Sequence, residues 1–392
     1  MPEAVIVSAC RTAIGTARKG TLRETEPSIL AVALIEESLR RTGLAPSQID
    51  DVILAESLYG GGVIARYAAV EAGMASVPGL AHNRHCASGL AAVQTAAATI
   101  MAGMDHAIIA GGVQSSSTSP LERRRVSDTD QWEDPWMSPS HPDTPDAPSR
   151  DMSITVGWNT ARQVGATREA MDAWALASHE KAIAAIDEGR FDREIVPIKV
   201  TVDGAAVVFD VDEHPRRGSS LEKLAGLKPL HPEIPDFSIT AGNSSGINDG
   251  AAVLVVTSDR FAAEHDIAPL AHVRSWASVG VPPAETGMAP TLAIPKALER
   301  AGLKVSDVDL FEINEAFAVV PIAASQVLDI DPARINLSGS GCSLGHPIAA
   351  TGSRMLATLI YDLARAGGGI GVAAMCAGGG MGSATVIEVA AG

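Results

Sequence analysis

Two stretches of the chain share one order of apolar and polar positions. Residues 34–54 read "LIEESLRRTGLAPSQIDDVIL" and residues 293–313 read "AIPKALERAGLKVSDVDLFEI". At an offset of 259, Leu39, Arg41, Gly43, Leu44 and Asp50 coincide with Leu298, Arg300, Gly302, Leu303 and Asp309. Each copy predicts an amphipathic helix, a glycine stop, a short linker and an apolar strand. Upstream, "VIVSACRTAIG" and "AHVRSWASVG" both predict strands. The pattern is that of a duplicated α/β unit.

The repeat carries a second expectation. Adding 260 to Cys86 gives His346. Cys86 lies in "HNRHCASGLAAVQTAAATIMAG" and His346 in "GSGCSLGHPIAATGSRMLATLIYDLARAG". Both are polar, glycine-containing turns that run into a helix pattern, followed by a strand with glycines, "HAIIAGGV" and "IGVAAMCAGGGMG". Two such halves back to back bring the helix starts, and so Cys86 and His346, to one site.

Between the copies, residues 119–247 differ in texture. "SPSHPDTPDAPSRD" (138–151) reads as irregular loop, and "TREAMDAWALASHEKAIAAIDEGRF" (167–191) as a helix ending near Gly189. Trp132, Trp136, Trp158 and Trp174, four of the five tryptophans, fall here. This inserted segment reads as a cap, whose tryptophans serve either substrate or packing. The expected division is 1–118 (completed by about 248–269), 119–247 and 270–392.

Composition narrows the class. A chain of 392 residues exceeds one ordinary core, and 46% hydrophobic with 19% charged residues describes a packed globular protein. The net charge of −16 opposes broad binding to nucleic acid or anionic membrane. Cys10, Cys86, Cys342 and Cys376 form no C-x-x-C pair and no disulfide framework, as expected in a reducing compartment. No signal peptide, membrane span or S-K-L terminus is read, so a cytoplasmic location is expected.

The candidate chemistry follows from position. A cysteine at a helix N-terminus sees the positive end of the dipole and free N–H groups, which favour a thiolate. A histidine at the equivalent helix start can take the thiol proton. A metal reading of His82, His85 and Cys86 finds no completing ligand group, and none is expected. Cys376 ends an apolar strand before glycines that allow close backbone approach. Asn314 and Glu315 follow the second-copy strand and can orient a water or a side chain. "GSGCSLG" is not a dinucleotide fingerprint, because Leu344 stands where glycine is required, and "GGGMG" is not a P-loop.

With these residues in view, the sequence resembles the thiolase family. The matching stretches are "VSACRTAIG" (7–15), "NRHCASGLAAV" (83–93), "TAGNSSGINDGAA" (240–252), "NEAFA" (314–318), "LGHPIAATG" (344–352) and "CAGGGMG" (376–382), in family order. The resemblance implies a five-layered α/β/α/β/α fold of two similar halves with an inserted loop domain. It implies Cys86 as the acylated nucleophile, His346 as its base, and Cys376 as the acid/base on the α-carbon or the CoA thiol. It implies one oxyanion hole from His346 and a water held by Asn314, and another from the N–H groups of Cys86 and Gly378. Ser245 matches a pantetheine contact, Ala316, Phe317 and Met152 match pocket wall, and Arg216 matches a basic residue near the CoA nucleotide. CoA and acyl-CoA are substrates, no metal or redox cofactor is implied, and the expected assembly is a homodimer or homotetramer.

The sequence departs from the family at "GGVIAR" (61–66), at Asp151-Met152-Ser153 in place of His-Met-Gly, at Gly157-Trp158 in place of Glu-Asn, at Ala349 and at Cys342. These touch a dimer contact and the acyl pocket, so they bear on substrate choice. Two other readings compete. A decarboxylating ketosynthase needs a second histidine where Asn314 or Cys376 stands, and a Gly-Phe-Gly-Gly turn. A non-catalytic CoA-binding scaffold fits poorly with Cys86, His346, Cys376 and Asn314 all present.

Overall fold

A computed structural model describes residues 2–57 and 63–391. The first half contains β1 (Ala4–Arg11), α1 (Pro27–Thr42), β2 (Asp51–Ala55), α2 (Ile64–Glu71), β3 (Gly79–His82), α3 (Ser88–Met101), β4 (Ala107–Gln114) and the returning β5 (Asn248–Ser258). The second contains β6 (Ala271–Gly280), α4 (Ala289–Ala301), β7 (Leu310–Ile313), α5 (Val319–Leu328), α6 (Ile348–Ala366), β8 (Gly369–Ala377) and β9 (Met381–Val389).

The strands run β7-β8-β9-β6-β1-β5-β4-β2-β3. Within each half the pairing repeats. β2 is parallel to β4 and β7 to β8, whereas β5 is antiparallel to β4 and β9 to β8. β3, beside β2, has its counterpart in a single parallel bridge from Phe311 to Ile335. The halves join where β1 meets β6, through Val5–His272 and Ile6–Ala271 only. So short a seam lets the sheet fold over on itself.

The sequence repeat has a local cause. Gly43 and Gly302 end α1 and α4 with left-handed φ of 69° and 70°, a backbone state that costs a Cβ-bearing residue more. Strands such as β5, apolar on consecutive positions and buried throughout, are covered on both faces.

Three hydrophobic cores define the layers. The central one packs α3 and α6 between the two sheet halves, with Leu90, Val93 and Ile100 meeting Leu356, Ile360 and Leu363. A second lies under α1 and α2, and a third under α4 and α5. The result is the five-layered α/β/α/β/α arrangement.

The inserted segment holds two exposed-edge hairpins (Glu122–Arg125 with Trp132–Trp136, Ile198–Val202 with Ala205–Phe209) and the helix Arg168–Asp187. Its two ends leave from neighbouring strands: Gln114 pairs with Gly250, and Asp249 accepts from the Ser116 and Ser117 N–H groups at 2.6 and 3.1 Å. Gly61 and Gly62 of the "GGVIAR" departure lie outside the described residues.

Candidate active site

Cys86 and His346 each stand two residues before a helix, α3 and α6. These helices touch at their first turns. A Cβ on Gly89 would stand 2.8 Å from the Ala349 carbonyl oxygen, and one on Gly352 would stand 2.3 Å from the Leu90 nitrogen. Glycines at the contact let the backbones approach, which places both helix starts at one end of the central layer. His85 and Ile348 accordingly line one cavity of about 800 Å³.

The Cys86 turn is held by its neighbours. Ser88 Oγ donates to the His85 carbonyl at 2.6 Å and accepts from the Arg84 N–H at 2.6 Å. The His85 N–H donates to Asn83 Oδ1 at 2.9 Å, and His85 has a left-handed φ of 47°. The Gly378 N–H is directed at the Cys86 thiol. Burial nevertheless holds this thiol above its ordinary pKa, and the Gly378 N–H offsets only part of that. The helix-start position therefore does not yield a free thiolate; a base is required.

His346 has the form a base needs. Its own N–H donates to Asn248 Oδ1 at 3.0 Å. Thr351 Oγ1 donates to the Pro347 carbonyl at 2.9 Å, so it accepts from His346 Nδ1–H at 2.7 Å. This fixes the tautomer and leaves Nε2 with a bare lone pair. Nε2 is buried and has no protein partner among the described residues. Burial, then the Arg354 charge, pushes the imidazole down to about 3, so it stays neutral.

Asn314 follows β7, and its Nδ2 lies 3.5 Å from His346 Nδ1. Its Oδ1 is also buried and unpartnered among the described residues. Two orphaned polar atoms in one place mark a site built for something else to bind. Cys376, at the end of β8, is buried; burial first, and then the nearby Cys86, raise its thiol. The two thiols are close enough that one ionising opposes the other.

Met152 also reaches this cluster. A Cβ placed on Gly378 would lie 3.8 Å from His85 Cγ and 3.9 Å from both Met152 Sδ and Ser140 Oγ. The Ser245 N–H donates to the Ala316 carbonyl at 2.9 Å, and buried Phe317 packs against Gly157. Arg216 is exposed and lies beside His179, whose Nδ1 accepts its backbone N–H at 3.2 Å.

The departures have structural consequences. Asp151 faces His231 Nε2 at 2.7 Å, and Glu233 faces His231 Nδ1 at 2.7 Å. Carboxylates on both nitrogens, Glu233 foremost, raise the His231 pKa. Cys342 Sγ donates to the Glu315 carbonyl at 3.5 Å, and its thiol is pushed up by burial. Glu315 itself accepts from Trp174 Nε1, Ser178 Oγ, Asn336 Nδ2 and the Cys342 N–H at 2.9, 2.6, 2.8 and 3.1 Å. It ties the inserted helix to the second half. Trp174 is thus structural, whereas Trp136 lines the 800 Å³ cavity and Trp158 packs on Phe237.

Reasoning from sequence passed over Thr351, Asn248, Ser140 and His141. The first two sit inside quoted motifs, Thr351 five residues beyond His346. Ser140 and His141 fall in the irregular stretch and carry no periodic signal.

Residues 4–260 match the thiolase N-terminal domain family and residues 267–389 the thiolase C-terminal domain family. The chain belongs to the thiolase family. This thiolase is 40% identical to acetyl-CoA acetyltransferase of Escherichia coli K12, over 99% of each chain. It is 36% identical to 3-ketoacyl-CoA thiolase of Bacillus subtilis, over 99% of this chain and 100% of that one. The crystal structure of Bacillus anthracis acetyl-CoA acetyltransferase superposes with a TM-score of 0.90 at 38% identity, covering 99% of each chain. This thiolase is an acyltransferase, and neither the ketosynthase nor the scaffold reading is favoured.

Proposed function

We propose that this thiolase acts on 3-ketoacyl-CoA and acyl-CoA through an acyl-Cys86 intermediate. In the thiolytic direction His346 Nε2 takes the Cys86 proton and the thiolate adds to the 3-keto carbon. The C2–C3 bond breaks, and C2 takes the Cys376 proton, releasing acetyl-CoA and leaving the shortened acyl group on Cys86. CoA then gives its thiol proton to Cys376 and attacks the acyl-cysteine; Cys86 leaves and recovers its proton from His346. The Cys86 and Gly378 N–H groups stabilise the oxyanion on the acyl-cysteine carbonyl, and His346 with Asn314, through a water, the enolate oxygen. Two holes suit two half-reactions.

The observation that carries this reading is the bare, buried Nε2 of His346, two residues before the helix whose first turn touches the helix that Cys86 precedes. Ser245, Ala316, Phe317, Met152 and Arg216 are assigned to CoA and acyl contacts, CoA and acyl-CoA being substrates; no metal or redox cofactor is used. The catalytic halves are assigned to 1–118 with about 248–269 and to 270–392, and acyl selection to 119–247. Exposed Leu121, just before the first hairpin, and Trp132 on it support self-association into a dimer or tetramer. Four free cysteines, no described helix long and apolar enough to cross a membrane, and a Rattus norvegicus relative named cytosolic support a cytoplasmic location.

Intact-mass spectrometry after mixing with acetyl-CoA, and separately with acetoacetyl-CoA, tests the proposal. An acetyl adduct mapping to Cys86 is expected from both. A folded protein that takes no acyl group from these or from longer and cyclic thioesters overturns it.

A further inference from the structure

Three side chains surround the open face of Gly378: Met152, Ser140 and His85, each 3.8–3.9 Å from where a Cβ would stand. The gap is of methyl size, and Gly378 is the residue whose N–H meets Cys86. An acyl group on Cys86 must therefore lie against this wall. Met152 makes it apolar on one side. The other two members are polar.

Ser140 comes from the irregular inserted stretch, yet its position is built. His141 is buried, and its Nε2 lies 2.9 Å from the Ala147 carbonyl, which can only accept. Nε2 therefore carries the proton and Nδ1 accepts, at 2.8 Å, from Ser140 Oγ–H. The stretch is further pinned by the Ser149 N–H donating to Asp143 Oδ1 at 2.5 Å. Ser140 thus spends its only proton on His141 and offers lone pairs beside Gly378. His85 is anchored through its backbone, while its ring makes no hydrogen bond among the described residues and lines the 800 Å³ cavity. One wall of the acyl space consequently holds an acceptor and an imidazole whose ring makes no hydrogen bond among the described residues, both half-buried.

We propose that Ser140 and His85 are specificity-determining residues that select acyl groups bearing a hydroxyl beyond the thioester carbonyl over plain hydrocarbon chains of equal length. His141 is a positioning residue that fixes Ser140. The inference rests on the acyl-Cys86 reading above. Its physical basis is that a hydrocarbon chain desolvates both polar groups without pairing them, whereas a hydroxyl can donate to Ser140 Oγ and accept from the His85 ring N–H.

The test is the rate of Cys86 acylation, read by intact mass, from four-carbon donors: butyryl-CoA, 3-hydroxybutyryl-CoA and succinyl-CoA. The natural protein is expected to favour 3-hydroxybutyryl-CoA over butyryl-CoA and succinyl-CoA by about tenfold or more. Ser140→Ala, His85→Leu and His141→Ala are each expected to cut that preference about tenfold. Loss of folded protein moves all donors alike and leaves the ratio in place, so the ratio isolates recognition. Acylation by acetyl-CoA with no preference among the four-carbon donors overturns the proposal, as does a preference that survives in both Ser140→Ala and His85→Leu. Absence of acylation from every donor overturns the functional reading and this proposal with it.

Discussion

Gly352 lies so close to Leu90 that a Cβ on it would stand 2.3 Å from the Leu90 nitrogen. This contact between α6 and α3 sets the spacing of the two helix starts. Gly352→Ala should improve local helix propensity yet lose stability, because backbone cannot move aside as a side chain can. The expected cost is about 1–3 kcal/mol by denaturant titration, together with slower Cys86 acylation. Unchanged stability would show that the helices separate freely.

The two thiols should separate by half-reaction. Cys86→Ala is expected to abolish acyl transfer. Cys376→Ala is expected to leave acylation of Cys86 intact and to stop condensation. Intact mass and a condensation assay on the same samples distinguish these, and equal loss of acylation in both variants contradicts the division of roles.

The imidazole of His346, held down to about 3, is unprotonated across the whole neutral and mildly acidic range. Acylation should therefore show no inflection near pH 6.5 that disappears in His346→Asn. His346→Asn should slow acylation by about 10²–10⁴. The same shift has a stability sign. Below pH 6.5 the unfolded histidine binds a proton that the folded one refuses down to about pH 3, so this site's contribution is full above 6.5 and is lost as pH falls toward 3. Relative to the natural protein, His346→Asn should gain about 2 kcal/mol between pH 6.5 and 5. Urea titrations at both values measure it.

Glu315 has four donors, so Glu315→Gln turns some acceptor contacts into clashes of like groups. A loss of about 1–3 kcal/mol is expected, with faster proteolysis of the helix Arg168–Asp187. A helix as protected as in the natural protein would assign the anchoring elsewhere.

Much of this arrangement is legible in the residues themselves. Gly43 and Gly302 announce two helix ends because a left-handed stop is a local demand. Cys86 and His346 are found at equivalent positions because a helix start also has a local signature. What depends on through-space contact is not legible. The Cys86 thiol sits above, not below, its ordinary value, since burial outweighs the helix start. Glu315 looks free to orient a water until its four donors are seen. Ser140 and His141 lie in a stretch whose Pro-rich composition predicts only irregularity, yet a pair of hydrogen bonds fixes them.

The Asp249 carboxylate clasps Ser116 and Ser117 where the inserted segment departs and returns. The segment is thus a loop closed at its own neck. Its length and sequence can drift without disturbing the register of the strands beneath. On the proposal above, the Ser140 side of acyl selection can be rewritten in one contiguous passage of the gene, while the His85 side is inherited with the scaffold.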